Sequence, residues 1–321
     1  MPPTLWRRPM PLERPGPVAR RAGGIRTLAS GLFLLLLFSP PLGATGISSP
    51  AVALPQGGIA LLLFPPSSSV KEVVLGSIRA RVHPWRPQSS LASGAQKDSF
   101  RAVLVGVDFS TPPKTLPLTL SGPDGQQTLS LAVTPRPFQV SRLSVARSFV
   151  TPPASFLRRL ARERKVILAA LAAPDRPFLF HRAFVAPLSG KITHDFGAYR
   201  YLNGRAMARH SGEDIDAPMG TPVHAANDGI VRLAGSFYYD GNMVIIDHGG
   251  GLLTEYLHMS DMAVHAGDRV VRGQVIGRVG HTGRVTGPVL HYGAVLRGAH
   301  VNPMMLTGLL AKAVHLREEG P

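Results

Sequence analysis

Arg209-His210-Ser211-Gly212-Glu213-Asp214-Ile215-Asp216-Ala217-Pro218, read together with Leu290-His291 some 77 positions beyond Asp214, is the stretch from which the rest of the chain can be ordered. Zinc in a catalytic site usually takes three protein ligands from nitrogen, sulfur or carboxylate donors and keeps a fourth position open. His210, Asp214 and His291 make a complete candidate set of that kind. Gly212 lies between the first two, where a relaxed backbone would let both converge on one ion from a turn entering a strand. A histidine four residues before an aspartate is common, however. The plainer reading is a hydrogen-bonded turn histidine, a capping aspartate and a strand histidine. The chain has no cysteine, which excludes disulfides and thiolate ligands and is compatible with any compartment.

The neighbouring blocks weigh against the plainer reading. Ala217-Pro218-Met219-Gly220-Thr221-Pro222-Val223, Ala225-Ala226-Asn227-Asp228-Gly229-Ile230-Val231 and Glu255-Tyr256-Leu257-His258-Met259-Ser260 follow in order. They are joined by Gly267-Asp268-Arg269-Val270-Val271-Arg272-Gly273-Gln274-Val275-Ile276-Gly277 and Thr282-Gly283-Arg284-Val285-Thr286-Gly287-Pro288. Together, over roughly 184–303, these blocks resemble the lysostaphin-type, or LytM-like, zinc peptidoglycan endopeptidases. The resemblance implies that His210, Asp214 and His291 hold one zinc ion. It also implies that His258 is one of two non-ligand histidines beside the reacting water. The second is missing: the family pattern His-Leu-His is Val289-Leu290-His291 here. Residues two apart on a strand share a face, so Val289 is expected beside the metal ligand where an imidazole would handle protons.

A positioned general acid or base contributes about 10²–10⁴-fold, so the valine predicts weakened turnover with zinc binding retained. His281, in Gly280-His281-Thr282-Gly283, is a conceivable substitute, and Tyr199 or Tyr201 a candidate for holding a developing oxyanion. His248, Asp216 and His224 read as structural residues; His194, His265 and His300 read as solvated loop residues. A different class of function stays open beside the hydrolase. A degenerate member would bind wall peptide or regulate another wall hydrolase without cutting, and a basic wall-anchoring protein with a structural metal is a third reading.

The start of the chain bears on where this chemistry happens. Six arginines against Glu13 lead into Leu32-Phe33-Leu34-Leu35-Leu36-Leu37-Phe38, with small residues near Gly43-Ala44. A basic segment, a short apolar core and small residues are the parts of an export signal, and the core is short for a membrane span. Residues 1–44 are therefore expected to be a signal peptide, an uncleaved anchor being the alternative, and the protein to work in the periplasm or cell envelope with no stable span after cleavage. The whole chain carries a net charge of +16. Loss of six arginines and one glutamate with the signal lowers that by five, to +11. Such a balance favours anionic polymers. Peptidoglycan, with its peptide carboxylates, is the expected partner, with wall hydrolases or division proteins as further ones. No nucleic-acid partner is expected, since no helix-turn-helix, zinc-finger or aromatic-basic signature is present.

The fold expected is mainly β. Short apolar runs at 59–64, 73–78, 103–107, 116–120 and 129–133, separated by Gly, Pro and Ser, predict a small N-terminal β-sandwich or barrel over 45–150. A linker helix and connector are predicted over 151–183, with Thr151 as cap, Pro152 in the first turn and Leu157, Leu160, Ile167, Leu168 and Leu171 at helical spacings. Its arginines make it basic. An antiparallel β-sheet LytM-like peptidase domain is expected over 184–304, and a C-terminal tail over 305–321.

Overall fold

The computed structural model of the protein describes residues 47–48, 52–88, 99–172 and 174–318; the expected signal peptide lies outside the described residues. The apolar run Ile59–Phe64 shows how the layers are built. All six residues are buried, because successive side chains on a strand point to opposite faces and both faces are covered. Ala60, Leu62 and Phe64 enter a core with Val73, Leu118 and Leu131. Ile59, Leu61 and Leu63 enter a larger one with Phe180, Leu252 and Val301. The strand is thus shared by two cores.

Ile59–Phe64 pairs antiparallel with Phe100–Gly106, which pairs with His83–Trp85 to make most of a four-stranded sheet. Facing it is a five-stranded sheet in the order Val52–Pro55, Gly125–Thr134, Lys114–Gly122, Glu72–Leu75, Ile78–Arg81. This is the sandwich the sequence predicts. The run at 73–78 is a hairpin instead of one strand, turning where Gly76 takes φ 61°. The expected C-terminal tail is not a tail. Val314–His315 pairs in parallel with Leu62–Leu63 as the fourth strand of the sandwich sheet, and Leu316 is buried in its core. Its apolar side chains find at that sheet edge the burial that solvent would deny them.

The C-terminal half is built on an eight-stranded antiparallel sheet. Its order is Lys191–His194, Gly212–Asp216, Val289–Leu296, Leu252–Met259, Gly241–Asp247, Gly229–Phe237 and Arg269–Val270, with Ala299–His300 pairing beside Val289–Leu296. The predicted helix forms over Leu157–Leu171. It does not start at Thr151: Arg147–Val150 is a short helical turn, Thr151 ends it, and a 3₁₀ turn Ala154–Phe156 precedes the main helix. Thr151, which precedes Pro152, holds φ −132° and ψ 89°, as a residue followed by proline is pushed out of the α region, so Thr151-Pro152-Pro153 breaks the helix it was expected to open. Ala170, Ile167 and Leu171 lie on Met243, Ile245, Leu253, Leu257 and Val295. The helix therefore covers one face of the sheet, and the candidate ligands sit further along that same face.

Candidate metal centre and cleft

Asp214 lies on Gly212–Asp216 directly opposite His291 on Val289–Leu296. His210 arrives from the loop before that strand, held by main-chain bonds to Ala198 and Gly197. His210 Nε2, Asp214 Oδ1 and His291 Nδ1 form a triangle with every side 2.9 Å. Gly212 makes room for this: a Cβ there would stand 2.7 Å from His291 Nε2. The glycine is needed for space and not, as the sequence reading had it, for backbone freedom.

The donor set fits a cation. His210 Nδ1 lies 3.1 Å from the Asp195 carbonyl, which fixes the proton on that nitrogen and turns the Nε2 lone pair inward, as outer partners of ligating histidines do. Burial pushes the His210 imidazole down to about 4, keeping it neutral. Burial alone would raise the Asp214 carboxyl, but His210 and His291 together hold it well below the ordinary carboxylate range. Arg200 donates to its other oxygen at 3.0 Å. Two imidazoles and a carboxylate aimed at one point are ligands of the type zinc takes.

His258, one residue before the end of the strand Leu252–Met259, takes φ 68°, a left-handed conformation that costs a non-glycine residue about 1 kcal/mol or more. Its Nδ1 lies 2.9 Å from the Thr282 carbonyl, leaving Nε2 free, and its ring centroid is 6.2 Å from that of His291. Burial, then repulsion from His291, brings it to about 3. A cleft of about 240 Å³ opens over the centre and is lined by His258, His194, Arg200, Arg284 and Val289 among others. Leu143 and Val145, from the segment after the sandwich, form part of its wall.

Val289 is half-buried at the position the sequence predicts, two residues from His291 on the triad's face. Other expectations need correction. His281 is exposed and does not line the cleft. Tyr199 and Tyr201 do not line it either: they stack on Arg209 and Arg142. Strand alternation sends the residue between them, Arg200, into the cleft instead. His194 is not a solvated loop residue; it belongs to Lys191–His194 and faces the cleft. His300 is likewise not solvated, being half-buried and stacked on Phe109 at 5.7 Å. His248 is structural as expected, its ring nitrogens 2.7 Å from Asp228 O and 2.8 Å from Thr254 Oγ1. His224 lies 3.1 Å from the Pro187 carbonyl, His265 is exposed, and Asp216 is exposed at the cleft margin. Sequence reasoning missed Glu255, whose carboxyl burial pushes up to about 7. It stands opposite Gly293, whose missing side chain makes room for it. The signal was a lone acid within the apolar strand Leu252–Met259.

Residues 208–303 match Peptidase family M23. Over 114 residues the chain is 45% identical to the peptidoglycan DD-endopeptidase ShyA of Vibrio cholerae, covering 36% of this chain and 26% of that protein. It is 34% identical over 147 residues to the cell division protein DipM of Caulobacter vibrioides, covering 44% of this chain and 22% of that protein. The chain thus spans about a quarter of the length of these relatives. A crystal structure of a Pseudomonas aeruginosa protein assigned to peptidase M23 superimposes with a TM-score of 0.60 at 25% identity, over 79% of this chain and 95% of that one. With its triangle of candidate ligands on an antiparallel sheet, the segment 208–303 is a peptidase M23 domain of the LytM or lysostaphin type.

Proposed function

We propose that the protein is an exported zinc metalloendopeptidase that hydrolyses peptide bonds in peptidoglycan stem peptides or cross-links. The observation that carries this reading is the triangle of His210, Asp214 and His291 opening onto a cleft with His258 at its edge. The DD-endopeptidase relative and the positive charge of the chain support the wall as substrate. His210, Asp214 and His291 would hold the zinc, which supplies Lewis-acid polarisation of a carbonyl and acidification of water. His258 is pinned through Nδ1 to the Thr282 carbonyl, so its free Nε2 can take a proton from the attacking water. Arg200 orients Asp214 by donating to its outer oxygen. Arg284 adds a second fixed cation in the cleft, suited to the carboxylates of stem peptides.

A second reading is favoured by Val289, which leaves the cleft without an imidazole at the expected place. On that reading the protein binds wall peptide or regulates a wall hydrolase, and the cell division relative is compatible with it. Cleavage of purified peptidoglycan, with bound zinc quantified in the same sample and His210→Ala as control, separates the two. About one zinc per chain with new termini released, both lost in the variant, is the expected result. Full zinc occupancy without cleavage would establish the second reading.

A further inference from the structure

The cleft contains an imidazole that forms no part of the ligand triangle and is not His258. Asp214 has two strand neighbours: His291 on one side and His194 on the other. Residues directly paired across antiparallel strands project on the same face, so the three side chains lie in one row over the sheet. A register shift between Ile192 and His194 is the type of irregularity that re-aims a side chain. His194 Nδ1 lies 3.5 Å from Asp214 Oδ2, the oxygen outside the triangle, and its ring stands at 89° to that of His210 with centroids 6.5 Å apart. His258 touches the centre from the opposite side, against His291. The two imidazoles therefore bracket the centre.

We infer that His194 is a catalytic residue which hydrogen-bonds the scissile peptide from the side opposite His258, filling the role that Val289 leaves vacant. The inference rests on the peptidase reading above. A peptide group over the triangle needs partners on both sides, at the attacked carbonyl and at the departing nitrogen. Val289 offers neither donor nor acceptor. Arg200 and Arg284 only donate, and Arg200 is already engaged with Asp214. Thr193 spends its hydroxyl on the Asp214 carbonyl, while His281 is exposed away from the cleft. A neutral imidazole both donates and accepts, and with 28% of its side chain exposed His194 is open to a bound substrate. The contact is a hydrogen bond and needs no change of charge on the ring.

The test measures kcat/KM on a purified cross-linked muropeptide for the zinc-loaded wild type, His194→Ala, His194→Gln, Val289→His and the double variant His194→Ala/Val289→His, with zinc content determined for each. Removing one positioned donor of this kind costs about 10²–10³-fold. The expected result is a loss of that order in His194→Ala with zinc still near one per chain, and a smaller loss in His194→Gln, whose amide still donates. Val289→His should restore at least about tenfold in the His194→Ala background while changing the wild type less than about threefold. His194→Ala cutting within about threefold of a competent wild type would overturn the role of His194 alone. Loss of zinc together with activity in both His194 variants, with no rescue, would overturn it too by making His194 a support for Asp214. A wild type and a Val289→His variant that both hold zinc and cut nothing would overturn the peptidase reading and this inference with it.

Discussion

Asp175 joins the two halves of the molecule, and replacing it by asparagine should loosen that joint by a calculable amount. One carboxylate oxygen accepts from the Arg81 backbone N–H at 2.7 Å, and the other meets His83 Nε2 at 3.3 Å, both on the sandwich. Arg297, from the M23 half, donates to the second oxygen at 3.2 Å while its other terminal nitrogen donates to the Leu104 carbonyl. Burial works against the charged carboxyl, but the bonds to His83 and Arg81 and the Arg297 charge bring it from 3.8 down to about 2. That preference corresponds to about 2 kcal/mol at neutral pH. A quarter of the side chain meets solvent, and screening lowers the expected effect to about 1–2 kcal/mol. Because the folded-state value is depressed, the contribution is complete above 3.8 and is lost as pH falls towards 2. Asp175→Asn should therefore unfold about 1–2 kcal/mol earlier than wild type in urea at pH 7, with unchanged m-value. About half of that gap should remain at pH 3. A variant as stable as wild type at pH 7, or a gap that does not shrink in acid, would refute the reasoning.

Leu61→Ala and Leu62→Ala, on opposite faces of one strand, should each cost about 2–5 kcal/mol in urea unfolding, whereas Leu157→Ala at an exposed helix position should cost under about 0.5. Gly241 holds φ 62° against Thr282, whose carbonyl orients His258. Gly241→Ala should cost about 1–3 kcal/mol and lower peptidoglycan cleavage with zinc retained; unchanged cleavage would separate Thr282 from the site. Burial raises the Glu255 carboxyl from 4.5 to about 7, so wild-type stability falls as pH climbs between those values. In the zinc-free protein Glu255→Gln should gain about 3 kcal/mol over wild type at pH 8 and under about 1 at pH 5, compared by urea midpoints at the two pH values.

The C-terminal sheet and its candidate ligand set were legible because their signals are local and ordered: His210 and Asp214 are four apart, and the glycine-punctuated blocks follow in sequence. Strand alternation was legible too and put Val289 where it lies. What the sequence leaves open is which distant chains meet. Val314 and Leu316 look like an apolar tail until Ile59–Phe64 supplies a sheet edge. The helix Leu157–Leu171 reads as a linker until the sheet face beneath it is assembled. His194 and Arg200 are ordinary residues of short strands in one dimension, and only pairing with Gly212–Asp216 and closure of the cleft bring them onto Asp214. The chain by itself thus determined the mainly β class and the identity of three convergent candidate ligands, because periodicity and donor chemistry are properties of neighbouring residues. The tertiary structure alone decided which further groups face those ligands, because cross-strand register and burial depend on partners far away along the chain.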